Sequence, residues 1–434
     1  MRFPVPAEAF ASTDIRVLRD EGVSVSVHTM RAPQVRPSRL LGERRLSGLA
    51  VSQGTFARDL RGLATCLGRP ALLARLLMWL LRVTWKRPAQ LVASVALVPR
   101  SMGILSELER EPPDVVHLFW GHYPSIVGYL ALTALPHSVL SVFLGAYDLT
   151  QRYGGTAWVA RRAALVSTHA RWNFPLIEAL GVPRERIHLA YRGIDPDLFN
   201  DKRGCKTRQR IVSAGRLDED KGMHDVLLVF RQVLARWPDA TLRILGEGEE
   251  RARLERLSRS LGMDGAVRFR GHVPHQDVAS ELSTAEIFLH MSRDERLPNV
   301  VKEAMASRCL CVVTETQGID ELVVEGRHGF VVQRRSVEAA AARIDDVFSG
   351  RVDVTALLDA ASQHIARHFN VMESMRSYRQ RWTDALATRW NGHQPGEVTT
   401  RGVCEEVDRP SDVQTEADRN LSSAATLCDL NDGV

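Results

Sequence analysis

The sequence predicts an α/β protein built from two doubly wound, Rossmann-like domains with an interdomain cleft. A chain of 434 residues exceeds the size at which a single hydrophobic core stops growing, so two domains are expected. In both halves, short and nearly continuous apolar runs alternate with helical stretches. That alternation is typical of parallel sheets covered by helices on both faces. Ligands of such folds bind beyond the carboxyl ends of the strands, so we expect the site in the cleft.

Eleven apolar runs are predicted to be strands, five before the domain junction and six after it. The junction is expected in the polar, basic stretch DKRGCKTRQR (201–210). After residue 333 we predict three helices, over 336–350, 354–369 and 374–390. The predicted strands are 22–30, 114–121, 138–145, 163–170, 186–195, 210–215, 240–246, 266–271, 285–292, 309–315 and 328–333.

Composition indicates a soluble globular protein of a reducing compartment. Hydrophobic content of 44% and charged content of 25% are ordinary for this class. No apolar run reaches the roughly 18–20 residues that span a bilayer, and the start MRFPVPAEAF lacks the apolar core of a secretory signal. The six cysteines form no CxxC pair, so we predict reduced thiols, no zinc site and a cytoplasmic location.

Charge is distributed unevenly along the chain. From Gln394 onward there are nine acidic and three basic side chains and no aromatic residue, so we predict a disordered acidic tail over 394–434. The tail contributes −6 to a net charge of +5, which leaves +11 on residues 1–393. This basic surplus suits an anionic membrane, a phosphorylated substrate or nucleic acid. Since the chain has no recognisable nucleic-acid-binding motif, no nucleic-acid partner is expected.

Two glutamates eight residues apart, Glu295 and Glu303, are the most informative feature of the chain. Glu295 falls in a loop closed by Pro298, and Glu303 falls about one turn into the helix that this proline starts. An anion lying across that helix N-terminus would meet free backbone N–H groups and the positive end of the helix dipole. The two carboxylates would then reach hydroxyls on either side of the anion. A nucleotide-sugar has this layout: sugar, diphosphate and ribose.

The motifs around this pair occur in a definite order. IVSAGRLDEDKG (211–222), LRILGEGEER (242–251), VRFRGHVPHQDV (267–278) and EIFLHMS (286–292) precede it, and CVVTETQGIDELVVEGRHGFVV (311–332) follows it. The series resembles the donor-binding domain of retaining glycosyltransferases of family 4, which have the GT-B fold. The resemblance implies an acceptor-binding domain over 1–203, a nucleotide-sugar-binding domain over 204–370 and a helix over 371–393 that returns to the first domain.

The resemblance also implies roles for residues of the second domain. Glu295 would face the transferred sugar, Glu303 would hold the ribose hydroxyls, and Arg216 and Lys221 would neutralise the diphosphate as the nucleotide leaves. Because these two cations do that work, no metal and no other cofactor is expected. Further donor contacts are expected from Gly246, Gly248, Gly271, His272, Val273, Pro298, Asn299, Gly318, Ile319, Asp320 and Glu321.

These residues also have purely structural interpretations. The two cations would equally form a solvated basic loop paired with the acids between them, Asp218, Glu219 and Asp220. Gly246 and Gly248 would equally mark a turn.

In the first domain, the turn WGHYP follows a predicted strand and carries His122, with His117 just before it. These histidines are expected either to contact the acceptor or sugar, or to serve as structural hydrogen-bonding groups. The run FLGAYDLT (143–150) aligns with a family stretch that often reads T-x-H-G-x-D. Leu144 then occupies the histidine position, whereas Gly145 and Asp148 remain.

Three further departures from the family pattern stand out. Arg296 and Arg308 occupy positions where glycine is common, and Arg296 is expected close to the sugar pocket. The chain begins with a stretch that resembles the region just after the family's first strand, so this strand is either missing or replaced by another segment. A shortened start would leave a sheet with an unpaired neighbour.

The segment LLARLLMWLLRVTWKR (72–87) is strongly apolar with spaced cations. Arg75, Arg82 and Lys86 fall close together on a helical wheel, and Trp79 and Trp85 suit a helix at a membrane interface. The alternative is an ordinary helix packed on the first domain. The first interpretation predicts peripheral contact with the inner face of the cell membrane.

Taken together, the residues and the resemblance predict a retaining glycosyltransferase. It would move a hexose from a nucleotide diphosphate-sugar to a saccharide or lipid-linked acceptor, and HLFWGHYPSIVGYL with FLGAYDL is similar to bacterial exopolysaccharide and lipopolysaccharide enzymes. Two rivals remain open. One is a nucleotide-sugar 2-epimerase, which shares the GT-B architecture, and the other is a non-catalytic relative that only binds nucleotide.

Overall fold

The computed structural model describes residues 3–4, 9–32, 37–151, 153–199 and 205–391. The chain up to Trp390 forms one compact unit. The predicted acidic tail over 394–434 and the predicted domain boundary between residues 203 and 204 lie outside the described residues.

Twelve strands are present in the described residues, and all of their pairings are parallel. Ten of the eleven predicted runs contain one of them, and the run 210–215 overlaps β7, which begins earlier, at Thr207. No run predicts β2, which has only three residues. The strands are β1 (Ser26–His28), β2 (Ala50–Ser52), β3 (Val115–Leu118), β4 (Val139–Phe143), β5 (Leu165–Thr168), β6 (Ile187–Leu189), β7 (Thr207–Ala214), β8 (Thr241–Leu245), β9 (Val267–Gly271), β10 (Ala285–His290), β11 (Leu310–Thr314) and β12 (Gly329–Val332).

Helices connect these strands, as a parallel sheet requires. They are α1 (Ala9–Asp20), α2 (Pro37–Glu43), α3 (Phe56–Gly68), α4 (Pro70–Thr84), α5 (Pro88–Ala96), α6 (Val98–Arg110), α7 (Ser125–Ala134), α8 (Ala146–Gln151), α9 (Gly154–Arg162), α10 (Phe174–Glu178), α11 (Pro196–Phe199), α12 (Met223–Arg236), α13 (Arg251–Ser260), α14 (His275–Thr284), α15 (Asn299–Ala306), α16 (Val337–Phe348), α17 (Val354–His368) and α18 (Val371–Asn391). Short 3₁₀ turns lie at Arg171–Asn173, Arg184–Arg186, Glu219–Lys221 and Ile319–Glu321.

The second lobe, from β7 to β12, is a six-stranded sheet with the order β12-β11-β10-β7-β8-β9. The chain starts at the centre with β7, moves outward to β9, and then returns to β10 on the other side of β7. The neighbours β7 and β10 therefore form the topological switch point, where the loops beyond the strands separate and leave a crevice.

Packing on both faces explains why the strands of this lobe are continuous apolar runs. Successive side chains of a strand point to opposite faces. Ile211 accordingly joins the apolar cluster on one face and Val212 the cluster on the other. Both side chains are fully buried, so neither face of β7 is left to solvent.

The first lobe contains two separate sheets. One has the order β3-β4-β5-β6, and the other is the pair β1-β2. Among the described strands none pairs with the free edge of β3, and side chains instead meet near it: Phe119 just beyond β3 belongs to a cluster with Phe3 and Val27.

The long helix α18 packs against the first lobe. Its Tyr378 hydroxyl donates a hydrogen bond to Ser167 Oγ on β5 at 2.7 Å, and Ser377 Oγ lies 2.7 Å from His188 Nε2 on β6. The last helix thus contacts the sheet that precedes the second lobe.

Candidate functional site

The turn after β7 carries Lys221 and is shaped by its neighbours. The Asp218 carboxylate accepts a hydrogen bond from the Lys221 amide at 3.2 Å, which closes the 3₁₀ turn. Gly222 follows with a φ of 63°, and a Cβ there would lie 1.9 Å from the Met291 carbonyl oxygen. Only glycine allows this approach. The loop after β7 therefore packs directly on the loop after β10, which carries Glu295.

Glu295 lies at the centre of this contact. Lys221 Nζ is 2.7 Å from its Oε1, and His290 Nε2 is 2.9 Å from its Oε2. Burial alone would raise the pKa of the Glu295 carboxyl, but the bonds to His290 and Lys221 outweigh it and lower the pKa to about 2. Glu295 is therefore a carboxylate at neutral pH, with both oxygens accepting bonds. His290 belongs to an apolar strand, so its place in the sequence gives no signal of this role.

Glu303 lies in the first turns of α15, which begins directly after Pro298. Its Oε1 is 2.9 Å from His275 Nε2, at the start of α14. Burial lowers the pKa of His275, but the hydrogen bond and charge of Glu303 exceed this effect, so the net shift is upward. The histidine predicted as a donor contact in this loop is His272, and His275 was not predicted. His272 is exposed, whereas Val273 packs partly into the core.

Arg216 differs from Lys221 in exposure. Its side chain is 74% exposed and pairs with Asp218 at 3.0 Å, whereas the Lys221 side chain is 16% exposed. The structure thus brings Lys221 and Glu295 together and leaves Arg216 at the rim of the crevice, in the acidic pairing that was the structural alternative for it.

The predicted glycines lie where neighbouring loops meet. A Cβ at Gly246 would be 1.8 Å from the Gly215 carbonyl oxygen, and one at Gly248 would be 2.4 Å from the Leu217 carbonyl oxygen. The Gly246 amide also donates to the Gly271 carbonyl at 2.8 Å. The loops after β7, β8 and β9 are therefore held together through their backbones, and this close packing explains the small residues at these positions.

Pro298 and Asn299 form the start of α15. Asn299 Oδ1 accepts a hydrogen bond from Lys302 Nζ at 3.0 Å, and the same ammonium donates to the Arg192 carbonyl at 2.9 Å. Lys302 is fully buried, and burial above all lowers its pKa from 10.5 to about 7. It lies next to Glu303 in sequence, yet nothing in the apolar pattern of this helix marks it as a contact between the lobes.

Glu321 joins the two lobes. It ends a 3₁₀ turn that begins after Gly318, whose φ is 78°, and contains the buried Ile319 and the exposed Asp320. Its carboxylate accepts hydrogen bonds from first-lobe donors: the Arg171 amide at 2.8 Å, the Trp172 amide at 3.0 Å and the Tyr191 hydroxyl at 2.8 Å. Glu321, which was expected to contact the donor, thus connects the two lobes through three hydrogen bonds.

In the first lobe, Asp148 is buried and organises two loops. Its carboxylate accepts hydrogen bonds from the amides of Gly121, His122 and Gly145 at 2.8, 3.1 and 3.0 Å, and His122 Nδ1 lies 2.8 Å away. The loops after β3 and β4 are therefore fixed by one carboxylate. His122 and Asp148, named separately from the sequence, form a pair.

His117 lies elsewhere. It belongs to β3, its Nδ1 is 2.9 Å from Ser141 Oγ, and its ring meets Tyr378 and Trp382 of α18. Burial lowers the pKa of His117 to about 4, so the ring is neutral at pH 7. These contacts match its structural alternative, a hydrogen-bonding group inside the protein.

Comparisons with known proteins agree with this geometry. Residues 196–364, which include Lys221, Glu295 and Glu303, match the family described as glycosyl transferases group 1. This part of the chain is therefore similar to group 1 glycosyl transferase domains. The matched segment contains the switch-point strands β7 and β10 and both glutamates, and strands β1 to β6 lie before its start.

Relatives with known names are similar over part of their length. The amylovoran biosynthesis glycosyltransferase AmsK of Erwinia amylovora is 27% identical over 273 residues, which is 59% of this chain and 67% of AmsK. The lipopolysaccharide core biosynthesis glycosyltransferase LpsE of Rhizobium meliloti is 30% identical over 160 residues, 37% of this chain and 45% of LpsE. The chain spans about half the length of most of these relatives. In two further relatives, for example, the match covers 50% and 43% of the relative's own length.

Solved structures match over more of the chain. The Anabaena protein Alr3699/HepE, in complex with UDP, has a TM-score of 0.67 and 15% identity, with 88% of this chain and 98% of that chain covered. The lipopolysaccharide outer core galactosyltransferase WaaB has a TM-score of 0.62 and 14% identity, with 88% and 96% covered. At this identity the match shows the fold, and the fold is GT-B, as predicted.

Proposed function

We propose that the protein is a retaining glycosyltransferase of family 4 that moves a hexose from a nucleotide diphosphate-sugar to a saccharide or lipid-linked acceptor in cell-surface polysaccharide biosynthesis. The observation that carries the proposal is the contact of Lys221 with Glu295 at 2.7 Å, at the switch point of a group 1 glycosyl transferase domain. A cation and a carboxylate meet there where the donor of such a fold would bind.

Lys221 and Arg216 would bind the diphosphate. Phosphate oxygens would share the Lys221 ammonium with Glu295, and Arg216 has the exposure to swing inward from the rim. Both cations would stabilise the negative charge that grows on the leaving nucleotide, so the proposed reaction uses no metal. Glu303 would exchange its bond with His275 for the ribose hydroxyls.

The ionised state of Glu295 bears on the mechanism. With both oxygens accepting bonds from Lys221 and His290, it suits the orientation of sugar hydroxyls better than proton donation. In the retaining reaction we propose, the bond between the anomeric carbon and the leaving phosphate breaks. The acceptor oxygen forms its bond to that carbon on the same face and gives its proton to the departing phosphate oxygen.

Donor and acceptor classes follow from relatives by analogy. HepE was solved with UDP and with UDP-glucose, and AmsK and LpsE are named for exopolysaccharide and lipopolysaccharide core biosynthesis. UDP-hexoses are therefore the first donors to test, with the saccharides of the cell surface as acceptors.

The test is donor turnover. Purified protein is incubated with UDP-, GDP- and ADP-sugars, and released nucleotide is measured for the wild type, Glu295→Ala and the exposed control Glu338→Ala. We expect slow hydrolysis of one donor that Glu295→Ala abolishes and the control retains. Isomerised sugar in place of released nucleotide would identify the epimerase. Nucleotide binding without turnover, even with membrane extract as acceptor, would identify the non-catalytic relative.

A second experiment tests retention. The anomeric configuration of the product formed with the accepted donor is read by NMR immediately after transfer. A product with the configuration of the donor supports the proposal, whereas an inverted product contradicts it.

We also propose that the protein acts on the cytoplasmic face of the membrane through an apolar face on α3, α4 and α5. Each of its side chains is at least 38% exposed. Trp79 is not part of it, because its side chain is buried against Tyr129 and Trp158, so the expectation that Trp79 lies at a membrane interface is wrong. The apolar face consists of Phe56, Leu60, Leu63, Leu67, Leu77, Met78, Leu81, Trp85, Val92 and Val95.

Charge favours an anionic bilayer as the partner of this apolar face. Residues 60–106 contain seven arginines and lysines and no acidic residue. Three of the seven pair with carboxylates just outside this range, and the other four, Arg75, Arg82, Lys86 and Arg87, form no ion pair with a described carboxylate. Among the described helices none is long and apolar enough by itself to cross a membrane, although two bent pairs, Phe56–Gly68 with Pro70–Thr84 and Pro88–Ala96 with Val98–Arg110, pass by length and composition. Basic residues and exposed apolar side chains together suit adsorption to an anionic surface.

Vesicle sedimentation tests the membrane proposal. We expect binding to vesicles with phosphatidylglycerol, weaker binding to phosphatidylcholine alone, and loss of binding in Leu67→Glu and Leu81→Glu. Val324→Glu, at an exposed apolar position of the second lobe, is the matched control. Self-association of the wild type that these two variants abolish, without vesicle binding, would show instead that the apolar face joins two copies of the chain.

A further inference from the structure

Arg296 forms no ion pair with a described carboxylate, although it directly follows Glu295. The hydrogen bond described for its side chain runs from Nη1 to Asn173 Oδ1 of the first lobe at a long 3.4 Å. Its buried Nε has no partner among the described residues. Asp294 acts on it only at longer range. A half-buried cation without a close counter-ion is costly, and a bound anion would remove that cost.

Asn173 presents a fixed acceptor to Arg296. Asn173 is fully buried, and its Nδ2 donates to Thr168 Oγ1 at 2.8 Å. The Thr168 hydroxyl in turn donates to the Leu144 carbonyl at 2.8 Å. This chain of bonds fixes the amide and aims its oxygen across the cleft. The Arg296 guanidinium is thus held at the junction of the lobes, next to the carboxylate proposed to face the sugar.

His169 lies on the first-lobe side of the same junction. It follows β5 and is 8% exposed, its ring stacks on Phe143 at 5.7 Å, and its Nδ1 has no described partner. It directly follows Thr168, whose hydroxyl accepts the bond from the Asn173 amide that Arg296 contacts. Burial above all lowers the pKa of His169 well below its usual value, so Arg296 approaches a neutral imidazole.

His169 lies near Leu144, one of the positions at which this sequence departs from the family pattern. Leu144 occupies the place where the family stretch often has a histidine. Because Phe143 pairs with Ser167 in the parallel register of β4 and β5, His169 lies one strand over from the residues that follow Leu144. His169, which follows β5, therefore places an imidazole at the same end of the sheet as Leu144, which follows β4 and has no imidazole.

We propose that Arg296 and His169 form a subsite for a sugar carboxylate, so that one of the two sugars that meet at Glu295 is a hexuronic acid. The inference rests on the proposed function and names its substrate class. The planar guanidinium matches a carboxylate with two parallel hydrogen bonds, and the neutral imidazole supplies a further polar contact. The carboxylate would replace the long bond to Asn173 as the lobes part to admit the ligand.

Binding measurements by calorimetry test the subsite without requiring turnover. The probes are UDP, GDP and ADP, then the neutral hexose and the hexuronic acid carried on the base that binds. A second arm offers p-nitrophenyl glucoside and p-nitrophenyl glucuronide to protein saturated with that nucleotide. Wild type is compared with Arg296→Gln, Arg296→Lys and the exposed control Arg259→Gln, and thermal melting verifies that each variant is folded.

We expect the uronate to bind at least about tenfold more tightly than the neutral sugar, which corresponds to about 1.4 kcal/mol. Arg296→Gln should abolish this preference without weakening the nucleotide, Arg296→Lys should retain part of it, and Arg259→Gln should retain all of it. A preference in the first arm assigns the carboxylate to the donor, and one in the second assigns it to the acceptor.

Two outcomes would overturn the inference, and only the second would also overturn the proposed function. Nucleotide binding with equal affinity for neutral and acidic sugars in both arms removes the carboxylate subsite and leaves the proposed function intact. Absence of binding to all three nucleotides removes the proposed function and this inference with it.

Discussion

Replacement of Lys302 by methionine should stabilise the protein at slightly acidic pH and destabilise it at alkaline pH. Lys302 is fully buried in α15, where its ammonium donates to the Arg192 carbonyl at 2.9 Å and to Asn299 Oδ1 at 3.0 Å. Methionine has a similar length and no charge, so Lys302→Met removes the buried charge and both hydrogen bonds while it largely conserves volume.

The magnitude follows from the pKa. Burial first, and then the charge of Arg192, lower the pKa of Lys302 from 10.5 to about 7, a shift of about 3.5. At about 1.4 kcal/mol for each pKa unit, the charged form costs about 5 kcal/mol of folding free energy. Of the two oxygens left without their donor, Asn299 Oδ1 belongs to a half-buried residue that water can reach, so together they cost about 2–4 kcal/mol. For Lys302→Met at pH 6.5, the difference is a net stabilisation of about 1–3 kcal/mol.

The sign depends on pH because the folded state binds fewer protons than the unfolded state between the two pKa values. The cost of the buried charge is complete below pH 7 and disappears as pH rises from 7 to 10.5. At pH 9.5 only about 1 kcal/mol of it remains, so the lost hydrogen bonds dominate. Lys302→Met should then be less stable than the wild type by about 1–3 kcal/mol.

The assay is urea unfolding and thermal melting of wild type, Lys302→Met and the exposed control Lys86→Met at pH 6.5 and 9.5. The difference between wild type and Lys302→Met should change sign between the two pH values, and that for Lys86→Met should stay near zero at both. A Lys302→Met variant that is less stable than the wild type at pH 6.5, or a difference that does not vary with pH, would refute the reasoning.

Three further predictions concern other parts of the chain. Glu107→Ala should lower the free energy of unfolding by about 3–5 kcal/mol in urea titrations, because it leaves the buried Arg58 guanidinium without its carboxylate. Glu321→Ala should speed amide hydrogen exchange at residues 171–172, measured by mass spectrometry, since both amides lose their acceptor. Cys309 should resist iodoacetamide at pH 8 until urea is added, because burial raises the pKa of its thiol to about 12.

Matched controls accompany these three predictions. Glu109→Ala removes a partly exposed partner of Arg69 and should cost under about 1 kcal/mol. A loss as small for Glu107→Ala would contradict its assigned role. Unchanged exchange at residues 171–172 would show that Glu321 does not protect these amides. Exposed Cys205 should react in the native protein, and equally fast labelling of Cys309 would contradict its burial.

The sequence determined the strands of both lobes because their signal is local. A strand covered on both faces needs apolar side chains at successive positions, as Ile211 and Val212 show. Each predicted run therefore contains or overlaps a strand. Three-residue β2 was missed because so short a segment carries too few side chains to form a pattern.

The sequence also brought Lys221 and Glu295 forward as candidates, because a residue just after a buried strand lies at the edge where ligands bind. The sequence does not predict that the two side chains are in direct contact. That contact depends on β10 returning beside β7, and on Gly222 allowing the two loops to touch.

Only the tertiary structure decided which distant residue each buried polar or charged side chain contacts. His275 with Glu303, Lys302 with the Arg192 carbonyl, and Arg296 with Asn173 are each separated by 28 residues or more. A local pattern cannot report such pairs, because a side chain's hydropathy predicts whether it is buried but not which element will cover it. The fold class is therefore readable from periodicity, whereas the polar contacts between distant elements exist only once the two lobes have packed together.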